Sequence, residues 1–200
     1  MKTANLLLIL FGCIFGGSCA ENLMPQVSFG FVNAEVNGMH WNTTYRNAYQ
    51  ATYAVDALYS SATPCDKYTF LSSELYNELG YLRQSFELVK IPSVKGKFKI
   101  VPFQNGHCDE SDPVYANLYT WTSDGDVLGD TYNVLTTENN FVEITSYNPD
   151  TKEIKGKFEV TFVLERRGSN HILADTLRFQ NGHFHTKILV PIERRYPNGI

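Results

Sequence analysis

Between residues 154 and 164 the chain alternates: Ile154, Gly156, Phe158, Val160, Phe162 and Leu164 take every second position, with Lys155, Lys157, Glu159 and Thr161 between them. A period of two marks a strand with one dry face and one wet face. The segment predicts a strand whose Phe158, Val160 and Phe162 enter a core while Lys157, Glu159 and Thr161 meet water. Residues 141–147, rich in β-branched and aromatic side chains, predict the strand before it, and Asn148-Pro149-Asp150 supplies the turn between the two. After a turn over residues 166–170, a further run covers 172–180. Asn181-Gly182, a dipeptide favoured in two-residue hairpins, leads into 184–190. Together these runs predict a four-stranded meander in which the central strand pairs antiparallel with both 141–147 and the strand leading to Phe179.

Upstream the pattern is the same but less regular. Val27, Phe29 and Phe31 alternate with polar or small neighbours and predict a first strand, followed by a tight turn at Asn37-Gly38 before Trp41. Over 45–59 two periods compete. Tyr45, Tyr49 and Tyr53 recur as on a helix, yet the Tyr, Thr and Val content favours a strand with Tyr49, Ala51, Tyr53 and Val55 on one face. Strands are predicted at 68–76 and 81–91 around Asn77-Glu78-Leu79-Gly80, then at 97–103, 115–122 and 127–135. Turn signals at strand-length intervals, without convincing amphipathic helices, predict an all-β fold: an antiparallel β-sandwich or partly closed barrel of about ten strands. An internal echo accompanies them. Lys95-Gly96-Lys97-Phe98 returns as Lys155-Gly156-Lys157-Phe158, and Phe103-Gln104-Asn105-Gly106-His107 as Phe179-Gln180-Asn181-Gly182-His183, placing both copies at strand ends.

The first residues add an address. Lys2 followed by an apolar run from Leu6 to Phe15 reads as an export signal, too short to span a bilayer. Small residues then close on Cys19, which suits lipidation of that cysteine, although Ser18-Cys19-Ala20 also fits cleavage after Ala20. The expected organisation is a signal peptide over 1–18, a tether over 19–26 and a single β-domain over 27–200, anchored to the cell envelope, as in an outer-membrane lipoprotein, or released as a periplasmic or secreted protein. In an exported chain, Cys65 and Cys108, each beside a turn, are expected to form a disulfide. The net charge is −4 and becomes one unit more negative when the leader and Lys2 are removed, the wrong sign for a surface that tracks nucleic-acid phosphates.

Candidate chemistry is sparse. His183 and His185 lie two apart on a strand and point the same way, with His107 at the matching place in the echoed turn, but no acid completes a metal-ligand spacing. Asp124-Gly125-Asp126 and Asp130 resemble a calcium loop only superficially and read as a hairpin turn. Neither a nucleophile elbow, a zinc-protease helix, a dinucleotide fingerprint nor a phosphate loop occurs, so neither catalysis nor a cofactor is expected. Trp41 and Trp121 are candidates for an aromatic surface that stacks on a sugar. Core packing is the competing reading, with Trp121 sharing an inward face with Tyr115 and Tyr119.

Asn37-Gly38 before Trp41, Val142-x-Ile144-Thr145-x-Tyr147, Ile154-x-Gly156-x-Phe158-x-Val160 and Phe179-x-Asn181-Gly182-x-Phe184 resemble, in that order, a family of uncharacterised Bacteroidota lipoproteins. The resemblance spans nearly the whole mature chain. Its most specific part is 141–187, and it departs from the family at Gly16, where Leu is usual, and in the longer 45–67 region. It implies a short secreted β-domain behind a lipidated cysteine, and no reaction. The function expected is a non-enzymatic envelope module that contacts a protein or glycan partner. The alternatives are a carrier using a barrel interior or aromatic groove, and then a hydrolase.

Overall fold

The computed structural model describes residues 27–41, 49–57, 68–103 and 113–189. Within them the chain is all β, with eleven strands in order: β1 (Phe31–Val36), β2 (Met39–His40), β3 (Tyr49–Ala57), β4 (Tyr68–Tyr76), β5 (Leu82–Ile91), β6 (Gly96–Val101), β7 (Val114–Thr122), β8 (Val127–Val134), β9 (Phe141–Tyr147), β10 (Glu153–Arg166) and β11 (Thr176–Leu189). Pairing runs β11-β3-β4-β5-β7-β6-β9-β10 and returns to β11, a hydrogen-bonded ring of eight strands. Strand β8 bridges β7 and β10, and the β1–β2 hairpin lies on the edge of β11. The sheet is mixed, because β11 pairs parallel with β3 at Ile188 and Leu189, and β6 pairs parallel with β7 at Ile100 and Val101. Alternation alone cannot reveal this, since the period is two in either sense. The parallel pairing of β6 and β7 depends on the 102–113 connection, which is long enough to carry the chain back across the sheet.

The strand at 154–164 follows the pattern closely. Phe158, Val160 and Phe162 are buried, and β10 pairs antiparallel with both β9 and β11. Lys157 and Glu159 are exposed, but Thr161 is buried under the 135–140 connection: its N–H donates to Asn140 Oδ1 at 2.8 Å and its carbonyl accepts from Leu135 N. The expected hairpin at Asn181-Gly182 does not form. Strand β11 runs straight through it, and Asn181, at φ 52°, is an extra residue opposite both neighbours. This β-bulge shifts the inward parity, so Leu177 and Phe179 precede it at odd positions and Phe184 and Ile188 follow at even ones, all buried. An unbroken fourteen-residue β10 offers partners to both halves of β11, which a hairpin would fold away from it. Gly182 is required there because a Cβ would come within 2.6 Å of the Phe158 carbonyl oxygen and 2.7 Å of its ring.

The Lys-Gly-Lys-Phe echo has a structural counterpart. Gly96, Lys97 and Phe98 pair with Ile144, Glu143 and Val142 of β9 from one edge, and Gly156, Lys157 and Phe158 pair with the same three residues from the other. The first copy begins a strand, but the second lies within β10 and the Asn181-Gly182 copy lies mid-strand. Residues 104–107 are outside those described.

The opening strand also differs from expectation. Val27, Phe29 and Phe31 are exposed, and β1 begins at Phe31 with Val32, Ala34 and Val36 turned inward. Gly30 sets this path, since a Cβ there would lie 1.9 Å from the His185 carbonyl oxygen. Gln50 seals the seam between β1 and β3 by mimicking a peptide group: its Oε1 accepts from Val32 N at 3.2 Å and its Nε2 donates to Val32 O at 2.7 Å. Inside the ring, Phe86 stacks on Phe158 and Phe179 at 4.9 and 5.4 Å, with Phe162 and Trp41 packed edge-on. Phe158→Ala should cost about 3–5 kcal/mol in a denaturant melt and Glu159→Ala less than about 0.5 kcal/mol. Equal and small effects would contradict the burial assigned to β10.

Candidate functional site

The aromatic residues divide between two surfaces. In β7 the inward face is Val114, Ala116, Leu118 and Thr120, so Tyr115, Asn117, Tyr119 and Trp121 share the outer face. Trp121 is therefore half-buried on the outside, not in the core. Trp41 is fully buried and donates from Nε1 to Gln84 Oε1 at 2.9 Å. The two tryptophans do not form one surface, and Trp121 instead belongs to an outer face built by β3, β4, β5 and β7.

Cross-strand register sets the rows of that face. Tyr53, Ser72, Glu87 and Asn117 form one row, and Ala51, Glu74, Ser85 and Tyr119 form the next. Beyond them Tyr49 stacks on Tyr76 at 5.0 Å with an interplanar angle of 5°, and Trp121 Nε1 donates to Ser85 Oγ at 3.1 Å. Glu74 accepts from both phenols, Tyr53 at 3.2 Å and Tyr76, while Glu87 accepts from Asn117 Nδ2 at 3.1 Å. Burial pushes the Glu87 carboxyl above the usual carboxylate range. The Asn117 hydrogen bond opposes the shift, and the charge of Glu74 adds to it. Burial likewise raises the Tyr119 phenol, with Glu87 and Glu165 adding to it. The Tyr76 phenol is raised by burial first and then by Glu74.

Chemically this face combines aromatic surfaces with carboxylate and amide hydrogen-bonding groups, the set that recognises polyhydroxylated molecules. Sequence reasoning found Trp121 but missed Glu74, Glu87 and Asn117, which are brought together only by register across three strands. One signal was present: in β7 the aromatic side chains Tyr115, Tyr119 and Trp121 share one parity with the polar Asn117, while Val114, Ala116 and Leu118 take the other.

A second polar cluster lies elsewhere. Asp130, which leads β8 into its buried half, accepts from Gly168 N at 2.7 Å through Oδ1, and its Oδ2 lies 3.0 Å from His171 Nδ1. His171 Nε2 is 3.1 Å from Asp175 Oδ1, which also accepts from Arg167 Nη2 at 2.8 Å. Both ring nitrogens face carboxylates inside the cluster, leaving neither for a substrate, so the arrangement holds the 167–175 connection onto β8. Asp130 thus takes no part in a calcium loop, and Asp124-Gly125-Asp126 forms the β7–β8 turn, with Gly125 at φ +94°.

His183 and His185 point the same way from β11, both edge-on to Phe31 at 5.7 and 6.2 Å. Among the described residues, no group of three or more His, Cys, Asp or Glu is placed to hold a metal ion. Cys19, Cys65, Cys108 and His107 lie outside the described residues. No family model, curated protein or solved structure matches the chain.

The raised Glu87 gives a signed expectation. The folded chain holds this proton more tightly than the unfolded chain, so its contribution to stability is present at low pH and is lost as pH rises through the raised value. Glu87→Gln should remove that loss and gain stability relative to the parent between about pH 4 and 7 in urea melts. Parallel pH profiles for the two proteins would contradict the burial of this carboxyl.

Proposed function

We propose that the chain is an exported, lipid-anchored envelope module without catalytic activity that holds a glycan across the outer face of β3, β4, β5 and β7. The observation that carries this reading is the division of aromatic residues. Phe86, Phe158, Phe162, Phe179 and Trp41 occupy the ring interior, while Tyr49, Tyr53, Tyr76, Tyr119 and Trp121 are outside beside Glu74, Glu87 and Asn117. An apolar ligand would have to displace packed rings to enter, whereas a sugar on the outer face would meet aromatic carbon and hydrogen-bonding oxygen together.

The absence of catalysis is inferred from the engagement of the carboxylates. Glu74 is held by two phenols and Glu87 by Asn117, an arrangement that fixes acceptors in place. Export and anchoring rest on Lys2, the apolar run after it and the small residues closing on Cys19, together with the lipoprotein resemblance.

Titration calorimetry against a panel of soluble polysaccharides tests the binding half. Trp121→Ala and Glu87→Gln should each weaken binding by tenfold or more, a loss of about 1.4 kcal/mol, while Glu159→Ala on the opposite side should not. Failure of every glycan, or equal binding by all three variants, would overturn the assignment. Cys19→Ser should move the expressed protein from the detergent phase to the aqueous phase, and unchanged partitioning would refute the anchor.

A further inference from the structure

We infer that the outer face of β10 and β11, together with the exposed residues 27–31, docks on an anionic phospholipid surface. The inference deepens the anchored reading proposed above and rests on it. Val27, Phe29 and Phe31 stand at alternate positions where the described chain begins and are 69%, 43% and 38% exposed. Three large apolar side chains within five residues form a patch rather than scattered surface residues, and such a patch marks an interaction site. The segment is held in place. Phe29 N donates to Thr52 O at 2.7 Å, the Phe29 carbonyl accepts from Thr186 Oγ1 at 3.4 Å, and Thr52 N donates to Ser28 Oγ at 3.0 Å. Phe31 lies edge-on to His183 and His185, which puts its ring on the outer side of β11.

Register continues the patch into a basic face. Phe31 pairs with His185 and His185 with Lys155, while the next row runs from Asn33 through His183 and Lys157 to Glu143 and Lys97. Outward positions on β6, β9 and the paired halves of β10 and β11 carry Lys97, Lys99, Lys155, Lys157 and Lys187 against Glu143, Glu153 and Glu159. Five lysines against three glutamates is a local reversal of sign, since the whole chain has a net charge of −4. All five are exposed, and among the described residues none pairs with a carboxylate, so their ammonium groups are open to phosphate.

The point where the tether enters fixes the occupant. Val27 follows Cys19 by eight residues, a span of at most about 29 Å when extended, so acylation at Cys19 keeps the patch within reach of the bilayer at high local concentration. The apolar side chains then enter the headgroup boundary while the lysines meet lipid phosphates, the two contributions that hold peripheral proteins on anionic membranes. Docking in this way turns the outer face of β5 and β7 away from lipid, because those strands lie across the ring from β10 and β11.

The Cys19→Ser chain lacks the acyl group and so separates docking from anchoring. It should co-sediment with vesicles of phosphatidylglycerol and phosphatidylcholine in equal parts, and bind about tenfold more weakly to phosphatidylcholine alone or in about 0.5 M salt. Adding Lys155→Gln, Lys157→Gln and Lys187→Gln together, or Phe29→Ser with Phe31→Ser, should lower partitioning by about tenfold or more, whereas Arg83→Gln on the far side should not. Phe31→Trp gives a readout that does not depend on the folding of the multiple variants. Its emission should be quenched by acyl-brominated lipid, while that of the parent, with Trp41 buried and Trp121 on β7, should not. Absence of binding to the anionic vesicles, binding that ignores lipid charge, or an unquenched Phe31→Trp would each overturn docking, whatever the detergent partitioning of the acylated protein says of the anchor. A dimer that Phe29→Ser with Phe31→Ser abolishes, without vesicle binding, would overturn it in favour of a second copy of the chain.

Discussion

The inner face of β11 must stay apolar although its apolar residues change parity between Phe179 and Phe184. In a regular strand that change would turn half of the set toward water. One extra residue, Asn181, absorbs it, and the rest of the ring follows from that placement. Because β11 continues past the bulge, its last residues, Ile188 and Leu189, reach β3 and close the ring, while the stretch on both sides of the bulge pairs with β10 and β1. Gly182 next to the bulge makes room for Phe158, which stacks against Phe86 at the centre of the core. The bulge thus links backbone register, ring closure and core packing.

With its interior packed in this way, the ring has its outer face free for the ligand we propose. Phe86, Phe158, Phe162, Phe179 and Trp41 occupy the interior, and two carboxylate clusters lie on the outer face of β4, β5 and β7 and under the 167–175 connection. The two polar clusters differ in kind. Around Glu74 and Glu87, carboxylates lie among aromatic side chains with neutral hydrogen-bond donors. Around His171, two carboxylates, an imidazole and a guanidinium balance one another and hold a connection in place. The first is the cluster we propose for ligand recognition, and the second fixes the 167–175 connection onto β8.

Much of this arrangement was legible in the chain. Residues 68–76 and 141–147 coincide with β4 and β9, and the twofold period of 154–164 matches the inward set of β10, because burial on one face leaves a direct trace in sequence. Asn-Gly does not distinguish its two uses. At Asn37-Gly38 both residues take positive φ and close the β1–β2 hairpin, while at Asn181-Gly182 only Asn181 does, within a continuous strand. Both outcomes satisfy the local preference of Asn for the left-handed region, and the availability of β10 as a partner decides between them. Trp121 reads as inward from its parity with Tyr115 and Tyr119, and is not, because the core takes the smaller aliphatic face of β7, Val114, Ala116 and Leu118, instead. Glu74, Glu87 and Asn117 were not legible as a group, since no local spacing encodes register across three strands.

In the reading we propose, the packed aromatic interior leaves the outside of the ring for a ligand. Titrating an apolar fluorescent probe into the folded Trp121→Phe variant, in which Trp41 is the sole tryptophan, while following energy transfer from it, distinguishes a filled ring from a hollow one. No saturable uptake and no quenching of Trp41 are expected. Stoichiometric one-to-one uptake with efficient transfer from Trp41 would contradict the filled interior and identify it as the binding site.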